Sequence, residues 1–346
     1  MTKEPAYTQI LQGFNLRSAL GFAISGVLLW LTFYNSGLHL SDIQLKEEQW
    51  YYFSAAIAVF VFSLWLYSLR AKLVWMSPTK KSSELSTYSS LILGNFYNSI
   101  LPGNLGEGVR AFHFARKNKV TFIRSLAAIL TEKWLDAQVF AVLVVVLFTI
   151  KPFTPHYISY TLVYTSLVVL VLTIIHVFFQ RNRELEKWVW HLMLVLKKPG
   201  LFLFKAYSNT NSHLRNMRQQ GHPWVYVGVF AFIFFLNVMQ FYFLLKAAGV
   251  SEPVGGMYSA FMIGLSMMII AFIPSAPGSI GVLHYGLYSV LLFAASLYHI
   301  IPDTKTLQSY ALFGIYTHLS YFIPEIILGT FFMIKERAVI FDRKAD

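Results

Sequence analysis

The chain contains no cysteine, which removes disulfides, thiol nucleophiles and cysteine-ligated metals from consideration. Charge is scarce too: 13% of residues are Asp, Glu, Lys or Arg, against 56% that are hydrophobic. A soluble domain of 346 residues has too little interior to hide that much apolar surface. Enzyme signatures are missing. HExxH, GxSxG and Walker A sequences do not occur. The glycines of "GNLGEG" run in the reverse order of a dinucleotide fingerprint, and the histidines do not cluster as metal ligands. The longest hydrophilic stretch, residues 180–222, is too short for a catalytic module. The expectation is a protein with no enzymatic activity, cofactor or metal.

What is present is a series of long apolar runs, of the roughly 20-residue length that crosses a bilayer core as helix. They fall at 16–38, 50–70, 85–101, 120–150, 158–179, 223–246, 256–273, 279–299 and 307–334. The first is longer than a signal-peptide core and lacks a small-residue cleavage site, so it reads as a span. The net charge of +12 does not point to nucleic acid, because the basic residues are scattered between apolar runs, where they report topology and anionic lipid. The fold class is all-α and polytopic, with about 8 transmembrane segments.

Two runs end abruptly: 85–101 at Pro102-Gly103, and 256–273 at "PSAPGSIG", residues 274–281. Lysine and arginine accumulate in cytoplasmic loops, and this arbitrates the topology. Asp42, Glu47 and Glu48 place 39–49 outside; Arg70, Lys72, Lys80 and Lys81 place the next connection inside. If 85–101 crossed fully, Arg110, Arg116, Lys117 and Lys119 would all lie outside. If it dips in and returns, they stay inside. The re-entrant reading is therefore preferred, and with it both termini are cytoplasmic.

The resulting map repeats. Residues 16–150 run span, span, broken hairpin (85–118), span. Residues 158–334 repeat that order with the broken hairpin at 256–299, entered from the opposite face. Such inverted-topology repeats place substrate between discontinuous helices near the midplane. The connection 180–222, with eight basic residues and two acids, is a cytoplasmic linker. Within it Leu185, Trp188, Val189, Leu192, Met193 and Leu196 share one face of an interfacial helix that ends at Pro199-Gly200.

The breaks are the candidate site. Pro102 blocks continuation and Gly103 permits the turn. The helix that follows, with Asn104, Glu107 and Arg110, presents its N-terminal amides into the membrane, where they suit an anion such as phosphate. Arg110 would be a bidentate partner of that anion, or else a topology charge paired with Glu107. Pro274, Ser275, Pro277, Gly278, Ser279 and Gly281 form the matching turn, with His284 just beyond. Asn95 and Asn98 are expected to bond backbone exposed by the first break. Glu132 and Asp136 share a helix face, with Lys133 beside them. They hold Arg110, bind a coupling cation, carry protons, or form a structural network with Lys133. Glu325 follows Pro324 in the last span and is a further cavity candidate, with His318 seven residues earlier.

"NSILPGNLGEGVRAFHFARK", "AAILTEKWLD" and "IPSAPGSIGVLHYG", in that order, resemble the lysylphosphatidylglycerol synthase transmembrane-region family, which includes the flippase portion of multiple peptide resistance factors. The resemblance covers roughly 15–335 and matches Pro102, Gly103, Gly106, Glu107 and Arg110, then Glu132 and Asp136, then Pro274, Pro277, Gly278 and Gly281. His284 stands where many relatives carry a glutamate. The resemblance implies a lipid-handling protein of a bacterial or archaeal cytoplasmic membrane. It does not extend to the aminoacyl-transferase module, so lipid aminoacylation is not implied. The leading expectation is a flippase for a phosphate-bearing amphiphile: a phospholipid, an aminoacylated phospholipid or a polyprenyl-phosphate carrier. The alternatives are an intramembrane lipid-modifying transferase or hydrolase, and a non-transporting partner in a lipid-biosynthesis complex. The expected partner is a membrane lipid, anionic or phosphate-bearing, with a homo-oligomer or a biosynthetic partner also open.

Overall fold

The computed structural model describes residues 16–39, 41, 43, 45–75, 84–101, 105–150, 163–164, 166–175, 187, 190–191, 197–270, 273, 275–337 and 339. Pro102, Gly103, Asn104 and Pro274, and the apolar face of the interfacial helix within 185–196, lie outside them. Among the described residues the protein is helical, without a strand. The helices are α1 (Leu16–Ser36), α2 (Glu47–Trp75), α3 (Glu84–Ile100), α4 (Gly106–Asn118), α5 (Phe122–Ile150), α6 (Ser166–Ile175), α7 (Lys197–Gln219), α8 (Pro223–Ala247), α9 (Met257–Ile270), α10 (Val282–Leu297) and α11 (Thr304–Lys335). Among the described residues four helical stretches are long and apolar enough to cross a membrane: Glu47–Trp75, Pro223–Ala247, Pro277–Leu297 and Thr304–Lys335. Shorter apolar helices lie at Leu20–Ser36, Ser166–Ile175 and Met257–Met267.

Local chemistry explains the boundaries. Helix α8 starts on Pro223, whose missing N–H costs nothing in a first turn. It ends where Gly249 takes φ +70° and Val250 N–H donates back to Leu245 O at 3.0 Å, a glycine-based cap. Helix α7 corrects one expectation: Pro199 and Gly200 do not end a helix but sit in the first turn of Lys197–Gln219, where proline displaces no intrahelical hydrogen bond. A 23-residue helix thus occupies part of the polar connection. Inside α11, Pro324 leaves the Ser320 carbonyl without its usual donor.

The chain forms two compact units, both discontinuous in sequence. The first comprises Met1–Leu64, Ile92–Gly106 and Phe234–Lys335; the second comprises Trp65–Leu91, Glu107–Ile233 and Glu336–Asp346. In the first, α10 packs on α1, α9 and α11, and α1 also meets α11. Its buried core includes Leu244, Leu245, Ile263, Leu287, Leu291 and Phe313. In the second, α5 packs on α7, and Trp75, Phe114, Ile129, Met217 and Tyr226 form the core. Lipid tails are as apolar as leucine, so close backbone approach rather than hydrophobicity holds such helices together. The first unit shows it: a Cβ on Gly329 of α11 would lie 2.3 Å from Phe96 Cβ of α3.

Candidate functional site

The helix break is tied down in the first unit. Asn98 of α3 accepts the Gly106 N–H at 2.7 Å through its Oδ1, the backbone-bonding role expected of it. One first-turn amide of α4 is therefore already satisfied by a side chain. Gly106 itself is required, because a Cβ there would lie 2.0 Å from Gly94 O.

The second break runs through a short 3-10 turn, Pro277–Ser279, into α10. Gly278 has φ +64° and Gly281 φ +81°, values that favour glycine. This elbow docks on α1. Ser25 Oγ accepts the Ala276 N–H at 2.8 Å, and a Cβ on Gly281 would lie 2.0 Å from Ser25 O. One turn earlier, Gly21 allows the Ser275 carbonyl to approach its ideal Cβ position to 3.1 Å. The sequence reading missed this seat, although Gly21 and Ser25 form a small-xxx-small pair.

A cavity of about 220 Å³ opens in the first unit where these elements meet. It has room for several waters, each taking about 30 Å³ of liquid volume. Asn95, Asn98 and Ser99 line it from α3; Gly278, Ser279 and Leu283 from the second elbow and α10; Met267 from α9; His318, Tyr321, Phe322 and Glu325 from α11. Ser99 donates its hydroxyl to Glu325, and Ser275 donates to Ser279 at 3.3 Å. His284 is not part of the wall. It is buried and stacks on His318 with ring centroids 5.2 Å apart, and its Nδ1 accepts the Gly281 N–H at 3.3 Å. That bond fixes the ring proton on Nε2. Of the residues expected in the second elbow, Gly278 and Ser279 face the cavity, while Ser275, Pro277, Gly281 and His284 shape it.

The other named charges gather in the second unit. Arg110 is 4% exposed and Glu132 2%. Arg110 Nη2 donates to both Glu132 oxygens, at 3.0 and 2.8 Å, and Nη1 reaches Glu107 Oε2 at 3.5 Å. Lys133 Nζ lies 2.9 Å from Glu107 Oε1, and Arg70 Nη1 lies 2.9 Å from Asp136 Oδ1. Tyr226 donates to Asp136 at 2.7 Å, and Trp75 Nε1 donates to Glu132. Arg70 also lies over the rings of Tyr67, Tyr226 and Phe230, a placement that suits a weakly hydrated guanidinium.

Three cations here face three carboxylates, so the cluster is electrically closed. Of the roles open to Glu132 and Asp136, the geometry realises the pairing of Glu132 with Arg110. Both terminal nitrogens of Arg110 are committed, and a phosphate would have to displace a buried carboxylate to reach them. Arg70, Trp75 and Tyr226 are members the sequence reading missed. Arg70 was legible in principle, since it sits inside an apolar helix rather than in a loop. Among the described residues no three His, Asp or Glu side chains converge as a metal site.

A family model described as the lysylphosphatidylglycerol synthase TM region matches residues 18–299, well over half of the chain and inclusive of both breaks and the acidic helix. Neither a curated protein nor a solved structure gives a match.

Proposed function

We propose, from the premise that the chain belongs to the lysylphosphatidylglycerol synthase transmembrane-region family, that it moves a phosphate-bearing amphiphile between membrane leaflets. Family and apolar helices together make it an integral membrane protein of a lipid-related family. On our reading it is a flippase without covalent chemistry, built from two inverted repeats with re-entrant hairpins. Both termini face the cytoplasm of a bacterial or archaeal cell.

The observation that carries the proposal is the cavity in the first unit. Non-helical backbone at membrane depth is tolerated where it is buried in protein or lines a wet space. Here the end of α3 and the second elbow, the two Pro/Gly-broken segments, contribute polar walls to the same space. Asn95, Asn98 and Ser279 offer neutral hydrogen-bonding groups to a phosphodiester headgroup, while acyl chains stay in lipid. The Arg110–Glu132–Glu107 cluster, on this reading, is a scaffold that positions α4 against α5 rather than a headgroup ligand.

The test is transbilayer movement of a fluorescent phosphatidylglycerol analogue in reconstituted vesicles, read by dithionite quenching. The wild-type protein is expected to expose inner-leaflet analogue, and Asn95→Phe, which fills the cavity, is expected to stop it. Quenching equal to that of protein-free vesicles in the wild type would refute the proposal. So would a covalently altered lipid, which would point to an enzyme instead.

A further inference from the structure

We infer that translocation is coupled to protons, and that Glu325 is the group that binds and releases them. The inference rests on the transporter reading and adds its energy source. It starts from a contrast between four acids in or beside apolar helices. Glu107, Glu132 and Asp136 each face a lysine or arginine. Glu325 does not. Its carboxylate takes a hydroxyl hydrogen bond from Ser99, Asn95 lines the same cavity, and among the described residues no basic side chain pairs with it.

Neutral donors orient a carboxylate but do not neutralise it. An ionised acid at membrane depth without a counter-charge is expensive, and the least costly remedy is a proton. A metal ion is a poor substitute in this cavity, because among the described residues no other carboxylate lines it and hard cations take several oxygen ligands. The other titratable groups facing Glu325 are few. His318 and Tyr321 line the cavity from the same helix, with His318 two turns away on the same face. From α10 comes His284, stacked behind His318. The cavity residues from α3, α9 and the second elbow are neutral.

The position also permits exchange. Glu325 borders a cavity with polar walls, and Pro324 beside it interrupts the helix ladder. When Glu325 carries its proton, the cavity is neutral and admits an anionic phosphodiester. When the proton leaves, like charges oppose the headgroup. Proton and headgroup therefore favour one another's binding, and the effect is reciprocal: they travel together, and a pH gradient drives the lipid.

The experiment uses the full chain in vesicles of phosphatidylethanolamine and phosphatidylglycerol, with a pH dye trapped inside and the fluorescent phosphatidylglycerol analogue in the membrane. Under an imposed pH gradient the wild type is expected to carry protons above the protein-free rate, Glu325→Gln to fall to that rate, and Glu325→Asp to retain flux at a shifted pH optimum. Proton entry at the protein-free rate in the wild type, or at the wild-type rate in Glu325→Gln, would overturn the inference. Infrared spectroscopy of the wild type supplies a readout that needs no folded variant at position 325. A protonated carboxyl band at neutral pH that moves in Ser99→Ala supports the assignment, and a wild type without that band contradicts it. The two readings separate cleanly. Analogue movement indifferent to the gradient removes proton coupling but leaves translocation, whereas proton flux without analogue movement removes translocation but leaves the proton site.

Discussion

Arg110 Nη2 holds both oxygens of the Glu132 carboxylate, at 3.0 and 2.8 Å, with both side chains buried. Removing Glu132 leaves the buried Arg110 charge with only its longer, 3.5 Å contact to Glu107, and breaking a buried pair costs on the order of 3–5 kcal/mol. Glu132→Gln is therefore expected to lower the unfolding temperature in detergent strongly. The double change Arg110→Met with Glu132→Met removes both charges and is expected to recover much of the loss. An unchanged melting curve for Glu132→Gln would show that the pair is not what holds α4 to α5.

That pairing was legible in the sequence only as one of several alternatives. Arg110, Glu132 and Asp136 announced themselves as charges beside apolar runs, but local pattern does not choose between partners far apart in the chain. The Arg70–Asp136 pair shows the limit more sharply. Arg70 read as a topology charge because cytoplasmic connections collect arginine, and only tertiary packing places it against Asp136. The two helix breaks, by contrast, were legible because proline and glycine act through local backbone chemistry. Helix α7 was missed for the opposite reason: its polar sequence carries no span signal, and Pro199-Gly200 reads equally well as a stop or a first turn.

The two elbow glycines should respond differently to substitution. At Gly281 a Cβ would fall 2.0 Å from the Ser25 carbonyl oxygen, at φ +81°, so backbone rather than a flexible side chain would have to shift. Gly281→Ala is expected to abolish recovery of folded protein. At Gly278 the nearest contacts, Ser99 O and His318 Cε1, are 3.4 Å away, so the cost of Gly278→Ala reduces to the positive φ, about 1–2 kcal/mol. Its folded yield should survive with a lowered melting temperature. Equal effects would contradict the docking of the elbow on α1.

The start of α11 offers a pH-dependent test. Asp303 Oδ1 accepts the Thr306 N–H at 2.8 Å, and these hydrogen bonds to Thr306 hold the Asp303 carboxyl below its usual range. A group whose pKa is lowered on folding stabilises the fold above its ordinary value, roughly 3.9, and loses that contribution as pH falls through its lowered one. Asp303→Ala is expected to speed hydrogen exchange at the first-turn amides near neutral pH. Asp303→Asn, also a good N-cap, should keep most of the protection and remove its dependence on acid.

Topology is checked with single introduced thiols in this cysteine-free chain. Lys119→Cys, just beyond α4, should react with an impermeant reagent only from the cytoplasmic side. Ile301→Cys, at a position 95% exposed, should react only from the other. Labelling of both from one side would break the inverted arrangement.

Movement of lipid between leaflets, as proposed, requires that the cavity between the end of α3 and the second elbow be reached in turn from both. A single Ser279→Cys thiol on its wall measures this directly in oriented vesicles. The account predicts reaction with impermeant reagent added to either face, slowed by phosphatidylglycerol headgroup mimics. Reaction from one face alone, or from neither, would contradict it.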